Sequence, residues 1–246
     1  MTIKLLMGAG AGSRFQSGGY SVPKPFISVH GESMFLHVAR KLGALEVGGI
    51  TFVTQAKFSR HVEKAQPGVM IDRVIYVPDL TKAGPAWSAV AATMLEDQDE
   101  DVLLMDSDCF VLSETECPLN TILYEPVQRF TKCVVYGNTG NEDKGLARIM
   151  LEGTRVSIKE GGTKKKDIAN IGIYWFKSVR YLHHLAATAT AAKAFQNLVT
   201  EVKISDLVNM IPETEVGASV IKGTFVNLGT PAGLNAYQKE KHGATE

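Results

Sequence analysis

Met7-Gly8-Ala9-Gly10-Ala11-Gly12-Ser13-Arg14-Phe15, followed by Pro23-Lys24-Pro25, decides how the rest of this chain is read. The apolar run Ile3 to Met7 comes directly before it and reads as a first β-strand. The glycines therefore stand where a strand opens into a loop. Glycine lets backbone N–H groups approach a ligand closely, and such a loop holds phosphates well. Arg14 and Lys24 add two cations in the same short segment. Arginine clamps phosphate oxygens with a planar fork, and lysine acts as a point charge. Proline on both sides of Lys24 fixes the backbone there. A glycine loop with both cations suits a nucleoside triphosphate; the plain alternative is a flexible turn carrying two surface charges. Two better-known glycine loops fail. A dinucleotide fingerprint, G-x-G-x-x-G, would need a glycine at Ser13 or at Phe15. A P-loop needs serine or threonine after its lysine, and Pro25 stands there.

Working outward, the first half alternates apolar runs with helical patterns. Strands are expected at Gly49–Thr54, Arg73–Val77 and Val102–Met105, and helices at Ser33–Leu45, Lys57–Ala65 and Pro85–Leu95. Ser33 is the expected N-cap of the first helix, and Pro85 opens the third. Such alternation predicts a parallel sheet with helices on both faces, and ligands at the carboxyl ends of its strands. The glycine loop follows strand one there, and Asp106-Ser107-Asp108 follows a later strand there. Two carboxylates on a tight turn are hard ligands suited to Mg²⁺, although an isolated D-x-D also serves simply to close a turn. The second half reads as β at Lys132–Tyr136, Leu146–Leu151, Arg155–Lys159 and Ile168–Phe176, with turns at Gly140, Gly153 and Gly161-Gly162. Helices at Val179–Leu198 and Ile204–Met210, a strand at Phe225–Leu228, a helix at Ala232–Lys241 and a frayed tail over Glu240–Glu246 complete the chain.

The segment Met7–Arg14 with Pro23-Lys24-Pro25 resembles the L-A-A-G-x-G-x-R…P-K-P signature of the sugar-phosphate nucleotidyltransferases, the pyrophosphorylases that make nucleotide sugars. Phe26 to Met34 is similar to that family's next stretch, and Asn227-Leu228-Gly229-Thr230-Pro231 with Leu234 and Tyr237 resembles its D-x-G-T-P-x-x-L-x-x-Y. The ordered set spans almost the whole chain. The resemblance implies a Rossmann-like, glycosyltransferase-A-type three-layer α/β sandwich with a mixed central sheet. It also implies one domain over 1–246, with a nucleotide-binding half (1–130) and a sugar-phosphate-binding half (131–246). It assigns Arg14, Lys24 and Asp108 to catalysis. Met7, Gly8, Ala9, Gly10, Gly12, Thr81, Gly84 and Pro85 are assigned to the nucleotide, with Gly84 giving close backbone approach. Mg²⁺ would be held by Asp108, with Asp106 as partner and Asn227 where the family has a second aspartate; an amide oxygen still ligates but brings no charge. Glu160 resembles the glutamate of the family's Glu-Lys pair, with Gly161 in place of the lysine and Lys164-Lys165-Lys166 shortly after. Asn170-Ile171-Gly172-Ile173-Tyr174 resembles a stretch whose asparagine faces sugar hydroxyls, with Gly172 giving that asparagine room. The implied reaction joins a nucleoside triphosphate to a sugar 1-phosphate and releases pyrophosphate. A glycosyltransferase, a cytidylyltransferase acting on a small non-sugar phosphate such as phosphocholine, and a non-catalytic nucleotide-sugar binder are the alternatives.

Bulk properties agree with that class. The 246 residues are 45% hydrophobic and 21% charged, ordinary for a chain with a real core. Lys+Arg and Asp+Glu are 26 each, so a sequence-independent nucleic-acid binder, which needs a cationic surplus, is disfavoured. Cys109, Cys117 and Cys133 show no C-x-x-C spacing, which argues for a reducing compartment and against a disulfide scaffold or zinc site. Cys109 reads as a small buried residue and not as a nucleophile. No apolar run approaches the eighteen residues of a membrane span, and the N-terminal run breaks too soon into glycines for a signal peptide. A cytoplasmic enzyme is expected, with room for a homo-oligomer.

Overall fold

The computed structural model describes residues 1–113, 117–124, 132–139, 146–159, 168–198 and 200–242. Glu160, the turns at Gly140 and Gly161-Gly162, the Lys164-Lys165-Lys166 run and the tail from residue 243 lie outside them. The chain opens with β1 (Ile3–Met7), a single turn α1 (Ser13–Ser17), the small hairpin β2 (Ser28–Val29) and β3 (Glu32–Ser33), and α2 (Met34–Leu42). α3 (Ala44–Val47), β4 (Ile50–Gln55), α4 (Ser59–Ala65), β5 (Arg73–Val77), α5 (Pro85–Ala92) and β6 (Val102–Asp106) follow. Then come β7 (Cys109–Leu112), α6 (Pro118–Tyr124), β8 (Cys133–Asn138), β9 (Arg148–Glu152), β10 (Arg155–Lys159) and β11 (Ile168–Phe176). The chain closes with α7 (Val179–Phe195), α8 (Ile204–Asn209), β12 (Val216–Val220), β13 (Thr224–Asn227) and α9 (Pro231–His242).

Nine strands form one mixed sheet ordered β10-β9-β11-β6-β1-β4-β5, with β8 on β11 and β12 on β8. β1 pairs in parallel with β4 and β6, and β4 with β5. β11 runs antiparallel to β6 and joins the two halves of the chain. Alternation along the strands sorts the core into two layers. Leu6, Phe52, Leu103, Met105 and Trp175 pack with Phe35 and Val38 of α2, Leu119 of α6 and Leu234 of α9. Leu5, Val53, Leu104, Tyr174 and Phe176 pack with Ala89 of α5, Leu182 and Ala186 of α7 and Leu207 of α8. The architecture is therefore the expected three-layer α/β sandwich with a mixed sheet. Within the first layer, Phe35 stacks on Phe52 with centroids 4.0 Å apart, a pair worth about 1 kcal/mol beyond its area.

The boundaries differ where local chemistry intervenes. α2 stops at Leu42 because Gly43 adopts φ 91°, a left-handed helix end, and α3 restarts afterwards. Ser33 makes no side-chain cap; it pairs with Ser28 in the small hairpin instead. α5 ends at Ala92 because the Thr93 hydroxyl donates back to the Ala89 carbonyl at 2.9 Å, leaving Met94 and Leu95 exposed. α4 starts at Ser59, after a 3₁₀ turn at Ala56–Phe58. α7 is capped by Ser178, whose Oγ accepts from the Tyr181 amide at 3.1 Å, and it stops at Phe195. Four elements carry no clear pattern in the sequence: α1, β7, α6 and β12. β7 and β13 make a separate two-stranded ladder, with Asn227 opposite Cys109. Among the described residues no helix is long and apolar enough to cross a membrane.

Candidate active site

The carboxyl ends of β1 and β6 are neighbours, with Met7 in register with Asp106. The Ser107 hydroxyl donates to the Met7 carbonyl at 2.8 Å and ties the glycine loop to the acidic turn. Above this junction lies a cleft of about 470 Å³. Its lining includes every described residue assigned from the sequence: Met7, Gly8, Ala9, Gly10, Gly12, Arg14, Lys24, Thr81, Gly84, Pro85, Asp106, Asp108, Asn170, Gly172 and Asn227. Only Glu160, outside the described residues, is not placed.

The glycines do different work. A Cβ on Gly10 would meet nothing within 4 Å, so this backbone is open to the cleft. Gly12 has φ 65°, and a Cβ there would lie 2.9 Å from the Lys24 Cβ, so its lack of a side chain lets Lys24 cross the loop. Gly8 instead makes room for the Phe52 ring below it. The Gln55 amide, 1% exposed, donates to the Ala9 carbonyl at 2.6 Å and fixes the loop from behind.

Lys24 sits between its prolines in a short 3₁₀ turn and ion-pairs with Asp108 Oδ2. The two side chains are 25% and 17% exposed. Burial alone would push the Lys24 ammonium down, but the Asp108 carboxylate, helped by Asp106, outweighs it and the pKa is raised. Arg14 projects from α1 at the cleft edge, exposed, and among the described residues its guanidinium has no partner. Asp106 is open to the cleft yet ringed by protein. Loss of surrounding water, then the Asp108 charge, raises its carboxyl to about 7, with Lys24 opposing.

One oxygen from each of Asp106 and Asp108 and the Cys109 sulfur lie within 4.8 Å of one another. Asn227 Oδ1 lies near them, 2.9 Å from where a Cβ on Gly229 would sit against the Asp108 carboxylate, and it accepts from the Gly229 amide at 2.8 Å. Two carboxylates and an amide oxygen suit a hard divalent ion. Cys109 is buried and donates to the Ile171 carbonyl at 3.1 Å. Burial, followed by Asp108 and Asp106, pushes its thiol well above the ordinary range, which agrees with a structural cysteine.

The opposite wall departs from one sequence reading. Gly84, at φ 96°, lines the cleft, and the Val202 carbonyl oxygen would lie 2.5 Å from a Cβ there. Gly172, at φ 69°, makes room for the Asp106 carboxylate and not for Asn170. Asn170 is buried; its Nδ2 donates to the Tyr174 hydroxyl at 2.6 Å and its Oδ1 accepts from the Gly172 amide at 3.1 Å. These bonds hold the bulge between Asn170 and Ile173 that carries Gly172 under Asp106. The Thr81 hydroxyl donates to Asp79 at 2.8 Å.

Ser88, Glu201, Lys203 and Ser205 also line the cleft and escaped the sequence reading; Tyr174 lines it too, named from the sequence only as part of its stretch. The polar–apolar–polar order of Glu201-Val202-Lys203 was the available signal for an extended segment with two residues on one side.

No family model and no curated protein matches the sequence. Solved structures do match in shape. A nucleoside-diphosphate-sugar pyrophosphorylase from Vibrio cholerae RC9 is 18% identical, over 97% of this chain and 100% of that one, with a TM-score of 0.74. A candidate glucose-1-phosphate thymidylyltransferase from Bacillus anthracis, in complex with sucrose, is 15% identical over 98% and 95%, with a TM-score of 0.76. HddC from Yersinia pseudotuberculosis, complexed with GMP-PN, is 16% identical over 96% and 98%, with a TM-score of 0.68. The likeness is one of fold, and that fold is Rossmann-like.

Proposed function

We propose that this protein is a nucleotidyltransferase that moves a nucleoside monophosphate from a nucleoside triphosphate to a sugar 1-phosphate or similar small phosphate. The observation that carries the reading is the convergence of Arg14, Lys24 and the Asp106/Asp108 carboxylates over an open glycine backbone in one cleft. The structural neighbours, two of which carry nucleotidyl-transfer names, support it.

In this reaction an acceptor-phosphate oxygen attacks the α-phosphorus. The bond from that phosphorus to the oxygen bridging to the β-phosphate breaks, and pyrophosphate leaves with the electron pair. The nucleophile is already anionic, so no strong base is needed. Rate comes from alignment, worth on the order of 7–11 kcal/mol in favourable cases, and from charge stabilisation. Arg14 and Lys24 neutralise the leaving group. Asp108, with Asp106 and Asn227, would hold Mg²⁺, which when bound would supply charge neutralisation on the phosphates. Tyr174 and Asn170 keep Gly172 beneath Asp106, which orients that carboxylate.

Incubation with Mg²⁺, each nucleoside triphosphate and a panel of sugar 1-phosphates, with an assay for pyrophosphate, tests the reading. Release with one pair of substrates is expected. No release across the panel, with nucleotide sugar still bound, overturns it in favour of a binding protein.

A further inference from the structure

The extended segment before α8 builds a second charged wall. The Val202 amide donates to the Ala83 carbonyl at 2.8 Å, and the Ala86 amide donates to the Val202 carbonyl at 3.2 Å. Residues 201–203 are thus clipped to the turn around Gly84 by main-chain bonds on both sides. Val202 is buried in the core shared by α5, α7 and α8. Its two neighbours therefore point the other way, and both line the cleft. Lys193 of α7 holds the segment from below, donating to the Glu201 carbonyl at 2.6 Å and pairing with Asp206 at 2.7 Å. Asp206 in turn accepts from the Lys203 amide at 2.7 Å. The segment is fixed by its backbone, and Glu201 and Lys203 both line the cleft.

Among the described residues three cations line the cleft: Arg14, Lys24 and Lys203. Arg14 and Lys24 belong to the glycine-loop wall. Phosphoryl-type displacement places the attacking and leaving oxygens roughly in line. With the leaving pyrophosphate against Arg14 and Lys24, the attacking phosphate needs a cation of its own, and among the described residues Lys203 is the remaining one in the cleft lining. Glu201 lies on the same side of the extended segment, about 6–7 Å away along it.

Building on the proposed reaction, we infer that Lys203 binds the acceptor's phosphate and that Glu201 selects an acceptor whose organic part is neutral or cationic. The acceptor class is then a phosphomonoester without a second acidic group near the phosphate.

Calorimetry separates the two walls. Tripolyphosphate with Mg²⁺ loads the glycine-loop wall without regard to base. α-D-Glucose 1-phosphate, phosphocholine and 3-phosphoglycerate are then titrated into the loaded protein. At least one of the first two binds. Lys203→Gln weakens that binding about tenfold or more, Lys203→Arg keeps it within about threefold, and neither alters tripolyphosphate affinity. 3-Phosphoglycerate binds at least about tenfold more weakly, and Glu201→Gln narrows the gap. Unchanged monoester binding in Lys203→Gln, or an equal loss of tripolyphosphate binding, overturns the assignment of Lys203 and leaves the proposed reaction standing. So does failure of both preferred monoesters to bind the loaded wild type. Equal binding of all three monoesters overturns the role of Glu201. If tripolyphosphate does not bind the wild type, the reaction itself falls, and this inference with it.

Discussion

The wall made by residues 7–25 presents its chemistry outward, whereas the wall made by residues 168–176 turns its chemistry inward. Gly10 is open and, among the described residues, Arg14 is unpartnered on the first. Asn170, Tyr174 and Gly172 are engaged with one another or with Asp106 on the second. Phosphate is bound best by fixed backbone and cations, and those are local in sequence. The second wall aligns a carboxylate, a task distributed over a strand bulge.

That contrast breaks first at Lys24. Lys24→Ala is expected to lower turnover about 10²–10³-fold with unchanged circular dichroism, as for loss of a group that stabilises developing charge. Cys109→Ala should change turnover far less. Near-wild-type turnover of Lys24→Ala in a pyrophosphate assay would remove the first wall from the chemistry.

The joint between the halves gives the next largest effect. His37 of α2 is fully buried, with Nδ1 2.8 Å from Glu32 and Nε2 3.0 Å from the hydroxyl of Tyr237 on α9. Burial lowers its pKa to about 4, with Glu32 opposing. In the unfolded chain it titrates near 6.5. The folded protein stays neutral there while the unfolded chain takes up a proton, so stability is complete above about 6.5 and falls as the pH drops toward 4. Glu32 acts in the same direction: burial would raise its pKa, but hydrogen bonds from Arg40 and His37 outweigh that and lower it. The His37 share is on the order of 3 kcal/mol. Urea unfolding at pH 7 and pH 4.5 measures it, and His37→Gln should flatten the dependence.

Gly172→Ala sharpens the comparison from the other side. A methyl at φ 69° meets the Asp106 carboxylate, so a loss of about 1–2 kcal/mol is expected, with turnover falling more than stability explains. Gly10→Ala, which meets nothing, should cost little stability. The smallest effect is that of Tyr174→Phe, which removes the Asn170 bond and costs about 1 kcal/mol in urea unfolding. If Asn170 works only through this bond, Asn170→Ala and Tyr174→Phe should be non-additive.

The strands β1, β4 and β6 are legible because continuous apolar runs mark strands buried on both faces, and the edge strand β5, only partly buried, is legible from its run Val74 to Val77. The glycine loop and the D-x-D turn are legible because their chemistry is contiguous. Val216–Val220 contains Gly217 and Ser219 and has no such run; only its pairing with β8 makes it a strand. Gly84 and Gly172 show the limit most clearly. Gly84 reads as close approach to a nucleotide and Gly172 as room for Asn170, yet a Cβ on either would meet a protein atom brought from far along the chain. Glu201 and Lys203 belong to no motif; their place depends on Val202 finding Ala83 and Ala86.

The ladder of β7 and β13 has a consequence for how the protein is made. Asn227 comes beside the acidic turn only when β13 pairs with β7, two segments far apart in the chain, whereas the glycine loop and Lys24 lie within one short stretch that precedes both. A nascent chain thus completes the stretch that holds the glycine loop and Lys24 before its acidic turn is fully framed. Truncation just upstream of Asn227 should therefore abolish turnover, and it also removes Leu234 and Tyr237 from the core.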